Sequence, residues 1–119
     1  MITRETLNSK NILSFKNVNK LNFLNIDGIA DYLKKRFEET DEDLYLNLTG
    51  IKFIDSCAFE KLFAVHRFAN SLNLKLKLFN ASEELEEIFL FTGISKKLNI
   101  ADVREVFEKQ SHEYPVTYL

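Results

Sequence analysis

The chain has 119 residues, a formal net charge of −2 at neutral pH, and 45% hydrophobic and 29% charged residues. This length and composition are typical of one globular domain that buries its own core. The nearly balanced charge gives no reason to expect nucleic acid or an anionic membrane as a partner, because those ligands bind basic surfaces.

Three features of the sequence predict a cytoplasmic location. Cys57 is the only cysteine, so no internal disulfide forms, which is typical of a reducing compartment. No apolar run approaches the roughly 18 residues that span a bilayer. The first five residues include charged side chains where a signal peptide requires an apolar run. We therefore expect a soluble, cytoplasmic protein without a membrane partner.

The chain begins with two predicted strands. Residues 2–7 and 12–18 are predicted to be short strands, since Leu13 and Phe15 alternate with Ser14 and Lys16, and residues 8–11 between the two segments are turn formers. We predict that the two strands pair as a hairpin. Residues 17–25 are predicted to form a loop from which Leu21 and Phe23 reach the core.

A first helix is predicted to follow this loop. Asn25 is a favourable residue for the N-cap position. Apolar residues then recur at helical spacing and predict one buried face: Ile26, Ile29, Ala30, Leu33 and Phe37.

The central stretch changes from strand to helix at a polar pair. Leu44, Leu46 and Leu48 alternate with polar or aromatic residues, which predicts a strand with one core face. Ile51, Phe53 and Ile54 are expected to be buried in the segment that leads to Asp55 and Ser56. Helical spacing then predicts a buried face: Ala58, Leu62, Val65, Ala69 and Leu72. Asp55 and Ser56 therefore precede a helix, where short polar side chains bind free backbone N–H groups.

Alternating leucine and lysine residues at positions 74–78 predict a strand with one face toward helices and the other toward water or an edge. Ser82 is a predicted N-cap for a helix with Leu85, Ile88 and Phe89 inward, and Gly93 is a typical helix stop. Three further segments are predicted: a strand at residues 98–100, a helix starting at Asp102 with Val103, Val106 and Phe107 inward, and a tail at residues 110–119.

Two segments resemble motifs of the STAS domain. One is Ile54-Asp55-Ser56 after an apolar strand, and the other is the sequence EIFLFTGI at residues 87–94, which is similar to a family helix ending in Leu-Thr-Gly-Leu. The pattern is most similar to that of bacterial anti-sigma factor antagonists, over roughly residues 10–100. The resemblance implies a single α/β domain at residues 1–109, with a small mixed β-sheet and helices packed mainly on one face.

The resemblance also implies a function. In the family the serine after the aspartate is phosphorylated, and here that position is Ser56. We expect an anti-sigma factor antagonist that binds an anti-sigma factor with serine kinase activity when unphosphorylated and releases it when phosphorylated. A serine phosphatase would reset the switch, and ATP would belong to the kinase, so this chain needs no cofactor. The alternative is a STAS module that is never phosphorylated and acts as a scaffold or as a subunit of a larger assembly.

The predicted partner-binding residues are Asp55, Ser56, Cys57, Phe59 and Phe63. For the two phenylalanines the alternative is ordinary core packing. The chain differs from the family's common Asp-Ser-Ser/Thr-Gly motif at Cys57 and Ala58. Cys57 lies at the predicted N-terminus of a helix, whose dipole favours the thiolate form of the side chain. A redox role is therefore one interpretation of Cys57, and a small packing residue is the other.

Catalysis is not expected. A serine nucleophile needs a base within hydrogen-bond reach, but His66 lies ten residues beyond Ser56 on the same predicted helix, or roughly 15 Å at 1.5 Å per residue. One cysteine and two separated histidines also offer no metal-ligand cluster.

We expect the tail from Gln110 onward to be dispensable for folding, because it follows the last amphipathic segment and has no helical period. A chain truncated after Lys109 should therefore unfold in denaturant at nearly the same midpoint as the full chain. A loss of several kcal/mol in its free energy of unfolding would instead make the tail part of the core.

Overall fold

The computed structural model of the protein describes residues 2–102 and Val106. Residues 2–102 contain three α-helices, a short 3-10 helix and seven strands. The helices are α1 (Ile26–Thr40), α2 (Ser56–Ser71) and α3 (Glu83–Thr92), and the 3-10 helix is Ile94–Lys96. The strands are β1 (Ile2–Leu7), β2 (Lys10–Phe15), β3 (Lys20–Leu21), β4 (Leu44–Asn47), β5 (Phe53–Ile54), β6 (Leu76–Phe79) and β7 (Asn99–Ile100).

Five of the strands form one mixed sheet in the order β1-β2-β4-β6-β7. β1 and β2 are antiparallel, and every other pair of neighbours in this sheet is parallel. Parallel neighbours require crossover connections, which contain α1, α2 and α3 in turn. The predicted α/β fold with a small mixed sheet is confirmed.

The predicted hairpin is also confirmed, with different bounds for its second strand. β2 covers Lys10–Phe15 instead of residues 12–18. The turn consists of Asn8 and Ser9, both with left-handed backbone conformations (φ 52° and 64°). Two consecutive positive φ values belong to the tight turn whose twist matches that of paired strands, so the connection is shorter than predicted.

The main core lies between the sheet and the helices. All five apolar residues predicted for the buried face of α1 are buried, and so are the first four predicted for α2. The prediction of Leu72 as a buried residue is wrong, because α2 ends at Ser71 and the Leu72 side chain is 37% exposed. Leu21 is fully buried, as predicted.

Three residues that were predicted to be buried are exposed. Phe53 is 52% exposed because β5 is extended and its next residue, Ile54, takes the inward position. Phe23 is 65% exposed because it follows β3 in a turn, after Leu21 has filled the core position. Ile88 is 42% exposed, since α3 presents Leu85 and Phe89 to the core instead.

The second face of the sheet was expected to meet water or an edge, and this is only partly correct, because Lys77 and Asn47 on that face are half-buried while other residues are buried. A second buried cluster occupies part of this face: Ile12, Tyr45, Phe79, Ala101 and Val106. Val106 is helical and fully buried, and its carbonyl accepts a hydrogen bond from Asn8 Nδ2 at 3.3 Å. The side chain of Lys77 lies over the Tyr45 ring, 5.4 Å from its centroid. Of the apolar residues of the helix predicted after Asp102, Val103 and Phe107 lie outside the described residues.

The second cluster predicts the effect of removing Phe79, which is 1% exposed. Phe79→Ala should lower the free energy of unfolding by about 3–5 kcal/mol, because a buried aromatic ring leaves a cavity. The matched control is Phe91→Ala, at a side chain that is 95% exposed on α3. This control should change stability by less than about 0.5 kcal/mol. Equal denaturation midpoints for the two variants would contradict a packed second face.

Candidate partner-binding site at the start of α2

The carboxylate of Asp55 links the start of α2 to the turn that precedes α1. Asp55 has an extended backbone at the N-cap position, and its Oδ1 accepts a hydrogen bond from the N–H of Ala58 at 2.8 Å. Its Oδ2 accepts from the N–H of Phe23 at 3.0 Å. A carboxylate at this end of a helix also interacts favourably with the helix dipole. The predicted position of Asp55 is therefore confirmed, and it holds a second segment that the sequence did not indicate.

Two short parallel strands bring these segments together. In the β3–β5 pair, Lys20 is opposite Phe53 and Leu21 is opposite Ile54. The pairing continues on both sides, with hydrogen bonds from Lys52 N–H to the carbonyl of residue 19 at 2.7 Å and from Asp55 N–H to the carbonyl of Leu21 at 3.0 Å. The end of β5, and so the start of α2, is fixed against the segment before α1.

The turn at residues 22–25 is held by asparagine side chains. Asn25 occupies the N-cap position of α1, as predicted, but its side chain does not cap that helix. Its Oδ1 accepts instead from Asn22 N–H at 2.9 Å, and its Nδ2 donates to the carbonyl of Lys20 at 2.8 Å. Asn22 Oδ1 accepts from Leu24 N–H at 3.0 Å. Local side-chain bonds of this kind stabilise a turn in place of a cap.

Ser56 is exposed and is the first residue of α2. Its hydroxyl makes no hydrogen bond to any residue that the structure describes. The interpretation of Asp55 and Ser56 as a helix cap therefore holds for Asp55, whose carboxylate does the capping. The Ser56 hydroxyl is left available to solvent at the positive end of the helix.

The other predicted partner-binding residues lie further into the fold. Cys57 is half-buried and packs against the main core. Phe59 is 8% exposed, with its ring edge-on to Phe89 at a centroid distance of 5.9 Å. Phe63 is half-buried, 6.5 Å from the Phe59 ring. Phe59 therefore belongs to the core, which was the alternative to a partner-binding role.

Three exposed apolar residues lie on the segments that are joined to the start of α2, and the sequence did not predict them as partner-binding residues. Phe23, Leu24 and Phe53 are 65%, 80% and 52% exposed, and all three belong to the segments joined by Asp55 and the β3–β5 pairing. Large apolar side chains exposed together often mark a protein-binding surface. Adjacent residues of a strand point to opposite faces, so only one of Phe53 and Ile54 can face the core, but a two-residue strand does not show which of them does.

Within residues 2–102 and Val106, His66 is the only histidine, and it does not lie beside Ser56. His66 is ten residues beyond Ser56 on α2. Its ring contacts Asn70, with 3.3 Å between His66 Nε2 and Asn70 Nδ2. Residues 2–102 and Val106 contain no group of three or more side chains suited to hold a metal ion. In the same part of the chain, no helix has the length and apolar character needed to cross a membrane.

Comparison with known families assigns this architecture. The family model of the STAS domain matches residues 3–107, and the chain therefore belongs to the STAS family. A comparison with curated proteins finds no significant match.

Solved structures share the fold at low sequence identity. An anti-sigma factor antagonist (STAS) domain protein from Planctomyces limnophilus is 17% identical, with a TM-score of 0.72 over 87% of this chain and 92% of that one. Phosphorylated SpoIIAA from Bacillus is 16% identical, with a TM-score of 0.61 over 88% of this chain and 95% of that one. The murine anion transporter Slc26a9 is 15% identical, with a TM-score of 0.58 over 76% of this chain but only 16% of the transporter.

The two bonds of Asp55 predict that Asp55→Ala is more destabilising than the loss of an ordinary cap. Losing the cap should cost about 0.5–2 kcal/mol, and losing the bond to Phe23 N–H should add about 1 kcal/mol. Ser82→Ala is the matched control, because Ser82 caps α3 with one hydrogen bond, to Leu85 N–H at 3.2 Å. Chemical denaturation of both variants measures the difference. If Ser82→Ala costs as much as Asp55→Ala, the bond to Phe23 contributes nothing.

Proposed function

We propose that this STAS domain is an anti-sigma factor antagonist of the cytoplasm, regulated by phosphorylation of Ser56. In the unphosphorylated form it binds an anti-sigma factor that is also a serine kinase, and phosphorylation releases that partner. The observation that carries the proposal is the exposed Ser56 hydroxyl, which has no hydrogen-bond partner in the described residues because Asp55 caps α2.

The position of Ser56 in the fold and the similar solved structures support this proposal. A kinase must reach the hydroxyl from solvent, and Ser56 is exposed at the first turn of a helix. Similar folds belong to a Planctomyces limnophilus anti-sigma factor antagonist domain and to SpoIIAA, an anti-sigma factor antagonist with known unphosphorylated and phosphorylated structures. A serine phosphatase would return the chain to its binding state.

Phosphorylation changes the charge of the site without disturbing the core. A phosphoserine carries about −1.5 to −2 charges at neutral pH. The free N–H groups and dipole of α2 stabilise such a charge within the domain. Asp55 is the preceding residue, so the site then carries two anionic groups. An acidic surface on the partner repels this charge, and an apolar surface can contact it only after the costly removal of its water. In both cases the partner is released while the fold is retained.

A second candidate function is a constitutive module inside a larger assembly. It is favoured by the match to Slc26a9, in which this fold accounts for 16% of the transporter chain. Intact mass measurement of the protein from its own cells separates the two candidates. A phosphate-sized increment at Ser56 supports the switch, whereas its absence under every growth condition supports the module.

Substitutions at Ser56 test the switch directly. Ser56→Ala should change the free energy of unfolding by less than about 0.5 kcal/mol, because Asp55 does the capping. It should also keep partner binding. Ser56→Asp should fold normally and bind more weakly by about 1–3 kcal/mol, since it adds roughly half of the phosphate's charge.

The measurement is affinity capture from native extract with the three baits, followed by titration calorimetry against the recombinant form of the anti-sigma factor recovered. Denaturation of each bait controls for folding. Equal affinities of the wild type, Ser56→Ala and Ser56→Asp would disprove the switch.

A further inference from the structure

We infer that Phe23, Leu24 and Phe53 form the apolar part of the surface that binds the anti-sigma factor, with Lys20 and Lys52 as its basic rim. This inference rests on the proposed function and names the contact residues of the same site. We call these five residues the β3–β5 surface. Its proposed occupant is an anti-sigma factor that presents an apolar pocket bordered by carboxylates.

The apolar residues of this surface are exposed on an ordered framework. Phe23 N–H is bound by the Asp55 carboxylate and Leu24 N–H by the Asn22 side chain, both at 3.0 Å. Phe53 belongs to a strand whose pairing with Lys20 is fixed. A backbone held in this way loses little conformational freedom on binding, which raises the affinity that an exposed aromatic side chain provides. Phenylalanine also has few rotamers to lose.

The site also lies beside the proposed switch. Asp55 accepts the hydrogen bond from Phe23, and Ser56 is the next residue along the chain. A partner that covers Phe23 therefore also approaches the Ser56 hydroxyl. A phosphate added at Ser56 would then stand at the margin of the apolar contact, where its desolvation is costly.

The charges of the surface indicate the chemistry of the occupant. Lys20 and Lys52 are exposed, and neither forms an ion pair with any residue from 2–102. By contrast, Asp27 at the start of α1 is paired with Lys61 of α2 at 3.2 Å. Carboxylates on a partner would complement the two lysines, and the same carboxylates would repel a phosphate on Ser56. An acidic rim on the partner thus accounts for attraction before phosphorylation and release after it.

Phe59 and Phe63, which were the predicted partner-binding phenylalanines, cannot supply this contact to the same extent. Phe59 is 8% exposed and packs on Phe89. Phe63 is half-buried against the core, and Lys97 Nζ lies 5.8 Å from its ring centroid. An aromatic contact with a partner is therefore better provided by Phe23 and Phe53.

Titration calorimetry with the recombinant anti-sigma factor recovered by the Ser56→Ala bait tests the inference. Phe23→Ser and Phe53→Ser should each weaken binding about tenfold or more, as expected for aromatic anchors. Phe91→Ser is the matched control, since Phe91 is 95% exposed on α3, and it should bind like the wild type. Because all three side chains are largely exposed, the variants should keep the wild-type unfolding midpoint.

The lysines are tested by salt dependence. Lys20→Gln and Lys52→Gln should bind more weakly at low salt and should reduce the loss of affinity caused by added salt. The matched control is Lys75→Gln, at an exposed lysine that precedes β6, and its salt dependence should equal that of the wild type.

The outcomes separate this inference from the proposed function. If Ser56→Asp weakens binding but the Phe23 and Phe53 variants do not, the β3–β5 surface is wrong and the switch stands. If the phenylalanine variants weaken binding and Ser56→Asp does not, the surface stands and the switch is wrong. If no anti-sigma factor binds the wild-type chain, both are overturned. Sedimentation of the protein alone completes the test, because a dimer that Phe23→Ser dissociates would make a second copy the occupant and overturn the inference.

Discussion

The arrangement of the site depends on one carboxylate with two backbone donors. Asp55 accepts from Ala58 N–H with one oxygen and from Phe23 N–H with the other. The first bond begins α2 and the second attaches the segment before α1 to it. Hydrogen bonds to a charged group are stronger than neutral ones, at about 1.5–3 kcal/mol when shielded from water, and less for a half-exposed carboxylate such as this. Without the Asp55 carboxylate, the turn at residues 22–25 would lose its hydrogen bond to the start of α2, and the backbone pairing of β3 with β5 would remain.

The same bond pattern explains why Ser56 is available for modification. A helix needs acceptors for its first N–H groups, and a serine hydroxyl often provides one. Here the residue before it does so, and the Ser56 side chain extends into solvent with no hydrogen bond to the described residues. A phosphate attached there would meet the N-terminal end of a helix already capped by a carboxylate. The site can therefore change its net charge while its backbone hydrogen bonds remain in place.

Long periodic elements were predictable from the sequence. The buried faces of α1 and α2 span several turns, so five of five and four of five predicted residues are buried. Shorter elements were not predictable in the same way. β5 has two residues, which provide no periodicity to show that Phe53 points outward while Ile54 points inward.

Other features depend on contacts between distant parts of the chain. The Asn25 side chain binds its own turn instead of α1, a choice between two local partners that residue type does not decide. Tyr45 and Phe79 are buried because residues near the end of the described chain cover them, which a local pattern does not reveal. The bond from Phe23 to Asp55 joins residues 32 positions apart. The sequence pattern predicted that Asp55 and Ser56 lie at the start of a helix. The exposed residues around them could be identified only from the pairing of β3 with β5 in the structure.

The cover over the second face of the sheet has a consequence for how the protein is made. Asn8 lies in the first hairpin, and the Val106 carbonyl to which it bonds is 98 residues further along the chain. During synthesis Ile12, Tyr45 and Phe79 therefore leave the ribosome well before the residue that completes their cluster. Contacts of such long sequence separation form late in folding, and apolar surface exposed meanwhile favours aggregation. The helix-covered face can therefore pack before the opposite face, whose cluster includes Val106 and needs that late part of the chain.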